Sequence, residues 1–294
     1  MIKRVLITGK DSYIGQSVLV WLKDFFSGQL IVDELCVKDE AWQNVDFANY
    51  DAVFHVAGIA HSDIGKADED ARKLYRSVNT DLAIAVATKA KREKVPHFIF
   101  MSSMIVFGDS APIGERKRIS KGDAPNPANF YGDSKLQAEI GITSLQDEHF
   151  RVAIIRPPMV YGKNVKGNYP RLVQLAKKMP LFPAVENERS MIHIDNLCEF
   201  IRLILVDQAD GTFHPQNAEY VQTSDLVAKI AAGYGRKIRL VKFLNPFLQP
   251  LAKISSAVNK VFGNLSYDMA LSEYRTNYRV RSFEESVKLT EQQK

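Results

Sequence analysis

The chain of 294 residues has little cysteine, no paired histidines and no long apolar run, and each shortage removes a class of protein. Its two cysteines, Cys36 and Cys198, each lie in an apolar stretch without metal-ligand spacing, which reads as buried thiols in a reducing compartment rather than a disulfide framework. The six histidines include no ligand-like pair, so His55 and His193 read as structural residues and no metal is expected. No apolar segment approaches the roughly 20 residues that span a bilayer. The run from Met1 to Gly9 is too short for a signal segment and continues as a strand and turn. A soluble, cytoplasmic protein without a membrane span is expected. Charge of one sign is also scarce: 39 Lys and Arg stand against 34 Asp and Glu, a net +5, and they are dispersed. Dispersed charge favours a solvated surface with a local pull on phosphate-bearing ligands and gives no nucleic-acid groove. The one dense run, Glu115-Arg116-Lys117-Arg118, reads as a solvated loop. There is no internal repeat and no low-complexity segment.

The sequence is well supplied with apolar residues, 46% in all, enough for a substantial core. In the first half, continuous apolar strands alternate with helical patterns. Val5-Leu6-Ile7, a strand between Ile31 and Val37, Asp51 to Ala57, His97 to Met101 and Arg151 to Ile155 are separated by helices over Ile14 to Phe26, around Tyr75 to Lys94, and from Tyr131 onward. The link between the second and third strands is too short for a full helix. Such a pattern predicts an α/β chain with a doubly wound parallel sheet covered on both faces. From Arg156 the alternation breaks down, and a smaller C-terminal α+β domain is expected. The division is 1–156, with 191–215 returning to it, and 157–190 with 216–294. Ile194 to Val206 reads as a helix, Gly211 to His214 as a last short strand, and a helix after Thr223 precedes a strand near Ile238 to Val241. Phe247, Leu248, Leu251, Ile254, Val258, Val261 and Phe262 then fall at helical spacing. A core-facing helix is favoured there over a membrane-surface one.

Three groups of residues carry chemistry. Tyr131 and Lys135 sit four apart on one helical face, where an ammonium, together with a cofactor cation, can bring a phenol towards the working range of acid–base catalysis. Ser102-Ser103 lies about 28 residues earlier and supplies a hydroxyl to orient a carbonyl or alcohol. Thr8-Gly9-Lys10-Asp11-Ser12-Tyr13-Ile14-Gly15 joins the first strand to the first helix, the setting in which backbone N–H groups meet a dinucleotide pyrophosphate. Ser12 stands where the middle glycine of such a loop is expected.

Together these features resemble the extended short-chain dehydrogenase/reductase family of nucleotide-sugar epimerases, dehydratases and reductases. The resemblance covers nearly the whole chain, through Gly9 to Gly15, Val56-Ala57-Gly58, Asn79, Ser102 to Gly108, Tyr131 to Lys135 with Glu139, Arg156 to Gly162, and Arg189 to Leu197. It implies a Rossmann-type fold with a substrate-binding domain. It makes Tyr131 the acid/base, Lys135 its modulator and nicotinamide-ribose ligand, and Ser103 the catalytic hydroxyl, with Ser102 close behind. Gly9, Ser12, Tyr13, Ile14, Gly15, Ala57, Gly58, Asn79 and Ser102 would line the dinucleotide, and Pro158 and Met159 would border its nicotinamide. Arg189 would grip the substrate diphosphate, where a forked guanidinium suits the task. Asn168 is a weaker candidate on the sugar-nucleotide side.

Cofactor choice stays open between NAD(H) and NADP(H). Asp33, 18 residues after Gly15, has the spacing of a carboxylate that accepts from an adenosine ribose. The apolar run through Leu35-Cys36-Val37 nevertheless ends at Lys38, and a strand stopping there would offer a cation to NADP, the reading preferred here. The expected activity is hydride transfer at C4 of a nucleotide-activated hexose, foremost a UDP-sugar. A 4-ketoreductase is narrowly favoured over a 4-epimerase. A dehydratase fits less well, since Met104-Ile105 stands where that group carries Asp-Glu. A non-catalytic dinucleotide sensor is the remote alternative. A homodimer is a family expectation only.

Overall fold

The computed structural model describes residues 2–26, 29–60, 69–254 and 256–292. They fall into two compact units: 1–108 with 124–157 and 197–215, and 109–123 with 158–196 and 216–294.

The first unit is built on a six-stranded sheet. Its strands are β1 (Arg4–Thr8), β2 (Ile31–Leu35), β3 (Ala52–His55), β4 (His97–Met101), β5 (Arg151–Ile155) and β6 (Gly211–Phe213). They lie in the order β6-β5-β4-β3-β1-β2, every neighbouring pair parallel. The chain leaves β1 for β2 on one side and returns to β3 on the other, so the strand order reverses beside the carboxyl end of β1, where open α/β sheets bind ligands. Val5, Leu6 and Ile7 of β1, all of β3 and all of β4 are buried. A strand covered on both faces must be apolar at successive positions, which is why these runs are legible in the sequence.

Two boundaries differ from expectation, for physical reasons. The second strand stops at Leu35, whose carbonyl accepts the N–H groups of Gly9 at 3.0 Å and Lys10 at 3.3 Å. Val37 is apolar because it packs from a loop into the core cluster that also holds Trp42 and Phe47. A single 3₁₀ turn, Glu40–Asn44, capped by the Asp39 side chain, leads on to β3. The helix expected around Tyr75 to Lys94 is three pieces: Glu69–Tyr75, a π-helical turn Arg76–Asp81, and Leu82–Arg92. Such π turns recur at functional positions.

The second unit is held by three two-stranded parallel pairs: Met159–Tyr161 with Met191–His193, Leu181–Pro183 with Arg239–Val241, and Arg118–Ile119 with Ser266–Tyr267. Arg118 therefore opens a strand instead of lying in a solvated loop. Its guanidinium forks onto Glu188 at 3.0 and 2.6 Å and lies 5.2 Å from the centre of the Tyr220 ring. Tyr161, Tyr169, Phe182, Leu226 and Ile230 form the core. The expected core-facing stripe is only partly so. Leu248 and Phe262 are buried and Val258 and Val261 pack beside them, but Phe247 and Leu251 on the helix Asn245–Ile254 are exposed. The Ile254 side chain lies outside the described residues. Among the described residues no helix is long and apolar enough to cross a membrane, and no cluster of metal-ligating side chains occurs.

Candidate active site

The loop leaving β1 is shaped for close backbone approach. Gly9 has φ of +113°, and a Cβ there would sit 2.7 Å from the Ala57 nitrogen. Gly15 is equally confined: its Cβ would meet the Ser12 Oγ at 2.5 Å and Val56 at 3.2 Å. Ser12 resolves its own crowding by folding back. Its Oγ accepts the Gly15 N–H at 3.1 Å and its carbonyl accepts the Gln16 N–H at 2.9 Å, so it caps the helix Tyr13–Phe26. Tyr13 and Ile14 form the first positions of that helix, the end where N–H groups and the helix dipole favour anions.

Asp33 occupies the middle of β2, opposite Leu6, and not the strand end. Its Oδ2 accepts from the Arg4 Nε at 3.1 Å, the Arg4 Nη2 at 2.9 Å and the Tyr50 hydroxyl at 2.8 Å. Burial pushes this carboxyl up, but the bonds from Tyr50 and Arg4 outweigh it and hold it below its ordinary value. Lys38 is exposed, three residues past the strand end at Leu35.

Beyond β3, the chain just after Ala57 and Gly58 is fastened to the helices by Asn79 through Ile59. The Asn79 Oδ1 accepts the Ile59 N–H at 2.8 Å, while its Nδ2 donates to the Ile59 carbonyl at 3.0 Å and to the Ser134 Oγ at 3.1 Å. A Cβ on Gly58 would lie 2.9 Å from the Asn79 Oδ1 and 3.1 Å from the Lys135 Nζ. This bare strip, leading from the glycine loop to an ammonium, fits a dinucleotide laid along the sheet edge, and Gly9, Gly15, Gly58, Asn79 and Lys135 are the residues that would hold it.

The helix Phe130–Thr143 brings Tyr131 and Lys135 to this edge. Asn129 starts it by accepting the Gly132 N–H at 2.9 Å, and a Cβ on Gly132 would touch the Ile105 carbonyl at 2.8 Å, so the helix seats directly on the loop after β4. That loop holds the two serines, and the structure separates them. The Ser103 side chain hydrogen-bonds Tyr131 and accepts the Ile105 N–H at 3.3 Å. Ser102 is buried and donates to the Glu139 Oε1.

The Tyr131 ring is half-buried, yet its hydroxyl is enclosed. Burial pushes the phenol up to about 12, against the downward pull of the Ser103 hydrogen bond. Lys135 stands one turn further on, beside Gly58. Its ammonium donates to the Met101 carbonyl at 2.9 Å and lies 4.7 Å from the centre of the Phe100 ring. Burial brings that ammonium down to about 8, opposed by the charge of Glu139.

Sequence reasoning gave no role to several neighbours. Tyr75 places its ring 6.0 Å from that of Tyr131, and nothing in its local sequence marks it. Arg156 and Glu139 form a buried pair behind Ser102, the Nη2 to Oε2 distance being 2.6 Å. Glu139 stands four residues after Lys135, a one-turn spacing that does announce it. His55 is buried, which pushes its imidazole down to about 3, and its Nδ1 lies 2.7 Å from the Thr8 Oγ1.

In the second unit, Met159, Asn168 and Arg189 come together. With Arg171, Leu172 and Lys260 they line one pocket. Arg189 is half-buried, donates to the Gly263 carbonyl at 3.1 Å, and forms no ion pair among the described residues. Burial pulls its guanidinium down to about 10. A half-buried cation with no carboxylate among the described residues, in one pocket with Arg171 and Lys260, suits an anionic group. Pro158 is buried just before the strand Met159–Tyr161.

A parallel sheet, a glycine loop on its first strand and a Ser–Tyr–Lys set beyond its fourth define a dinucleotide-dependent enzyme acting at a carbinol carbon. Residues 5–217 match the model of the NAD dependent epimerase/dehydratase family, and the chain belongs to that family. It is 30% identical over 252 residues to a UDP-glucose 4-epimerase of Vibrio cholerae, covering 79% of this chain and 76% of that one. In fold it is similar to a UDP-glucuronic acid 4-epimerase of Bacillus cereus in complex with NAD, with a TM-score of 0.70, 17% identity and coverage of 98% and 97%. It is also similar to a dTDP-4-dehydrorhamnose reductase of Bacillus anthracis in complex with NADP, with a TM-score of 0.64, 19% identity and coverage of 82% and 84%. The protein is an enzyme of nucleotide-sugar chemistry, and its structural neighbours include both epimerases and reductases, with NAD or NADP bound.

Proposed function

We propose that the protein is an NADPH-dependent reductase of a 4-keto hexose carried on a nucleoside diphosphate, foremost UDP. The observation that carries this reading is at the end of β2. Asp33, which has the spacing of an NAD-selecting carboxylate, is committed to Arg4 and Tyr50, and the first charged side chain after the strand is the exposed cation Lys38. In this reading Tyr131 is the acid that protonates the C4 oxygen.

The dinucleotide, when bound, supplies the hydride for C4. Tyr131 gives its proton to the C4 oxygen, and Ser103 hydrogen-bonds the same oxygen and fixes its direction. Lys135, beside Gly58 and Asn79, holds the nicotinamide ribose, and its charge stabilises the phenolate that Tyr131 becomes. Arg189 takes the diphosphate, with Asn168 near the sugar.

A 4-epimerase is the second reading, favoured by the 30% identical relative. There Tyr131 would begin as a base, and the cofactor would be recycled. The two separate in one experiment: release of cofactor from denatured protein, beside consumption of NADPH with a UDP-4-keto-6-deoxy sugar. Substrate-dependent NADPH oxidation, lost in Lys38→Asp with NADPH but regained with NADH, supports the reductase. Stoichiometric bound NAD with interconversion of C4 epimers and no net NADPH use would overturn it.

A further inference from the structure

The segment Arg236–Leu251 belongs to neither the pocket nor the dinucleotide edge, and it has an unusual surface. From Leu226 to Tyr267 the chain carries seven Lys or Arg and no Asp or Glu, in a protein whose charges are otherwise mixed. Within that stretch a 3₁₀ turn, Lys242–Leu244, runs into the helix Asn245–Ile254. The inward side is ordinary: Leu248 is buried in the core cluster, and the Asn245 Nδ2 ties the helix to the Ala184 carbonyl at 2.8 Å. The outward side is apolar. Phe243 is 63% exposed, Phe247 62% and Leu251 49%, with Pro246 and Pro250 exposed between them. Positions 246, 247, 250 and 251 share one face of the helix, and Phe243 precedes them in the turn, so the exposed apolar side chains are grouped in a ridge and not scattered. Leu240, on the strand that leads into the turn, extends it.

Cations flank the ridge. Lys237, Arg239 and Lys242 are all exposed just before it. The acid recorded against them is Glu186, 3.9 Å from the Lys242 Nζ, with both side chains more than four-fifths exposed, a contact too solvated to neutralise the lysine. Exposed Phe and Leu beside Lys and Arg, with no intervening acid, is the composition of a helix that lies in a bilayer interface, its rings among the acyl chains and its cations at anionic headgroups.

We propose that Arg236–Leu251 docks the protein on an anionic membrane surface, Phe243, Phe247 and Leu251 entering the interface and Lys237, Arg239 and Lys242 meeting the headgroups. The ridge is too short to span, which makes the attachment peripheral and reversible. The charge pattern decides against a second copy of the chain as the occupant, because two such surfaces face to face would oppose cation to cation. The attachment concerns where the enzyme works and is independent of which cofactor or C4 chemistry it uses.

Flotation of the full chain with phosphatidylcholine vesicles, and with vesicles containing 40% phosphatidylglycerol, tests the proposal. Binding at least about tenfold stronger to the anionic vesicles is expected, weakening in 1 M salt as charges are screened. Phe243→Ser/Phe247→Ser/Leu251→Ser should reduce it about tenfold or more, as should Lys237→Glu/Arg239→Glu/Lys242→Glu. All six side chains are exposed, and circular dichroism with dinucleotide binding checks that each variant is folded. No anionic preference, or equal binding by a folded apolar variant, overturns the proposal. So does a wild-type dimer in light scattering that the apolar substitutions convert to monomer, which would make the ridge a self-interface.

Discussion

Arg156→Met removes one half of a buried ion pair and should be the most destabilising single change near the active site. Three bonds join Arg156 to Glu139: Nε to Oε1 at 3.1 Å, Nε to Oε2 at 3.2 Å and Nη2 to Oε2 at 2.6 Å. The side chains are only 13% and 5% exposed, so solvent cannot stand in for the lost partner. Glu139 keeps the Ser102 hydroxyl as a donor, but a hydroxyl does not neutralise a carboxylate. Leaving a buried charge uncompensated costs about 3–5 kcal/mol. At ~2–4 °C per kcal/mol for a protein of this size, the melting temperature should fall by about 10 °C. The second variant is Glu139→Met/Arg156→Met, which removes both charges and keeps the volume. It should recover most of the loss, short by about 1 kcal/mol because Arg156 also lies 5.1 Å from the Phe107 ring centre. Urea unfolding followed by fluorescence and by circular dichroism gives both numbers. A single variant that loses less than about 1 kcal/mol, or a double variant no more stable than the single, would refute the account of the pair as buried charge.

Tyr131→Phe should lower kcat by about 10²–10⁴ while leaving dinucleotide affinity unchanged, measured by single turnover and by titration of cofactor fluorescence. Gly58→Ala should weaken dinucleotide binding by about tenfold, because its Cβ meets an Asn79 side chain already held by three hydrogen bonds. An unchanged affinity would place the dinucleotide elsewhere. Lys135 makes stability depend on pH in a defined direction. Its native pKa, about 8, lies below the ordinary 10.5, so between those values the unfolded chain binds more protons. Stability of the wild type relative to Lys135→Met should therefore rise from pH 8 towards pH 10, by up to about 3 kcal/mol. Above pH 10 Tyr131 acts oppositely, since its native pKa is raised to about 12 and the unfolded phenol ionises first. A flat difference between pH 8 and 10 in paired urea melts would contradict a desolvated Lys135.

The parallel sheet is legible because a strand covered on both faces must be apolar throughout, and the bounds of β4 and β5 follow from that constraint alone. Loops that pack obey no such period. Val37 looks like a strand residue because it fills the same core as Trp42 and Phe47, and only the Leu35 carbonyl, taken by Gly9 and Lys10, shows where the ladder ends. Arg118 misleads in the opposite sense. A basic run reads as solvated surface, but its partner, Glu188, is 70 residues away and its strand partner, Ser266, further still. The ridge from Phe243 to Leu251 shows a third limit: helical spacing marks a helix with two apolar faces but does not say which face the core takes.

At the candidate site, spacing finds residues and contacts assign them. Four residues separate Tyr131 from Lys135 in any helix, but only the contacts show the lysine donating to the Met101 carbonyl and the phenol bonded to Ser103. Two adjacent serines are equivalent as sequence. One faces Tyr131 and the other is spent on Glu139, because an extended residue after β4 points successive side chains to opposite sides. Asp33 has the right count from Gly15 for a ribose ligand, and the count is blind to Arg4 and Tyr50, which reach it from β1 and from the turn before β3. Replacing Arg4 and Tyr50 together, with Leu and Phe, should therefore release the Asp33 carboxylate and shift preference from NADPH towards NADH by a few-fold. If the ratio of kcat/KM for the two cofactors does not move, Asp33 is out of reach of the ribose, and selection rests on Lys38 and its loop.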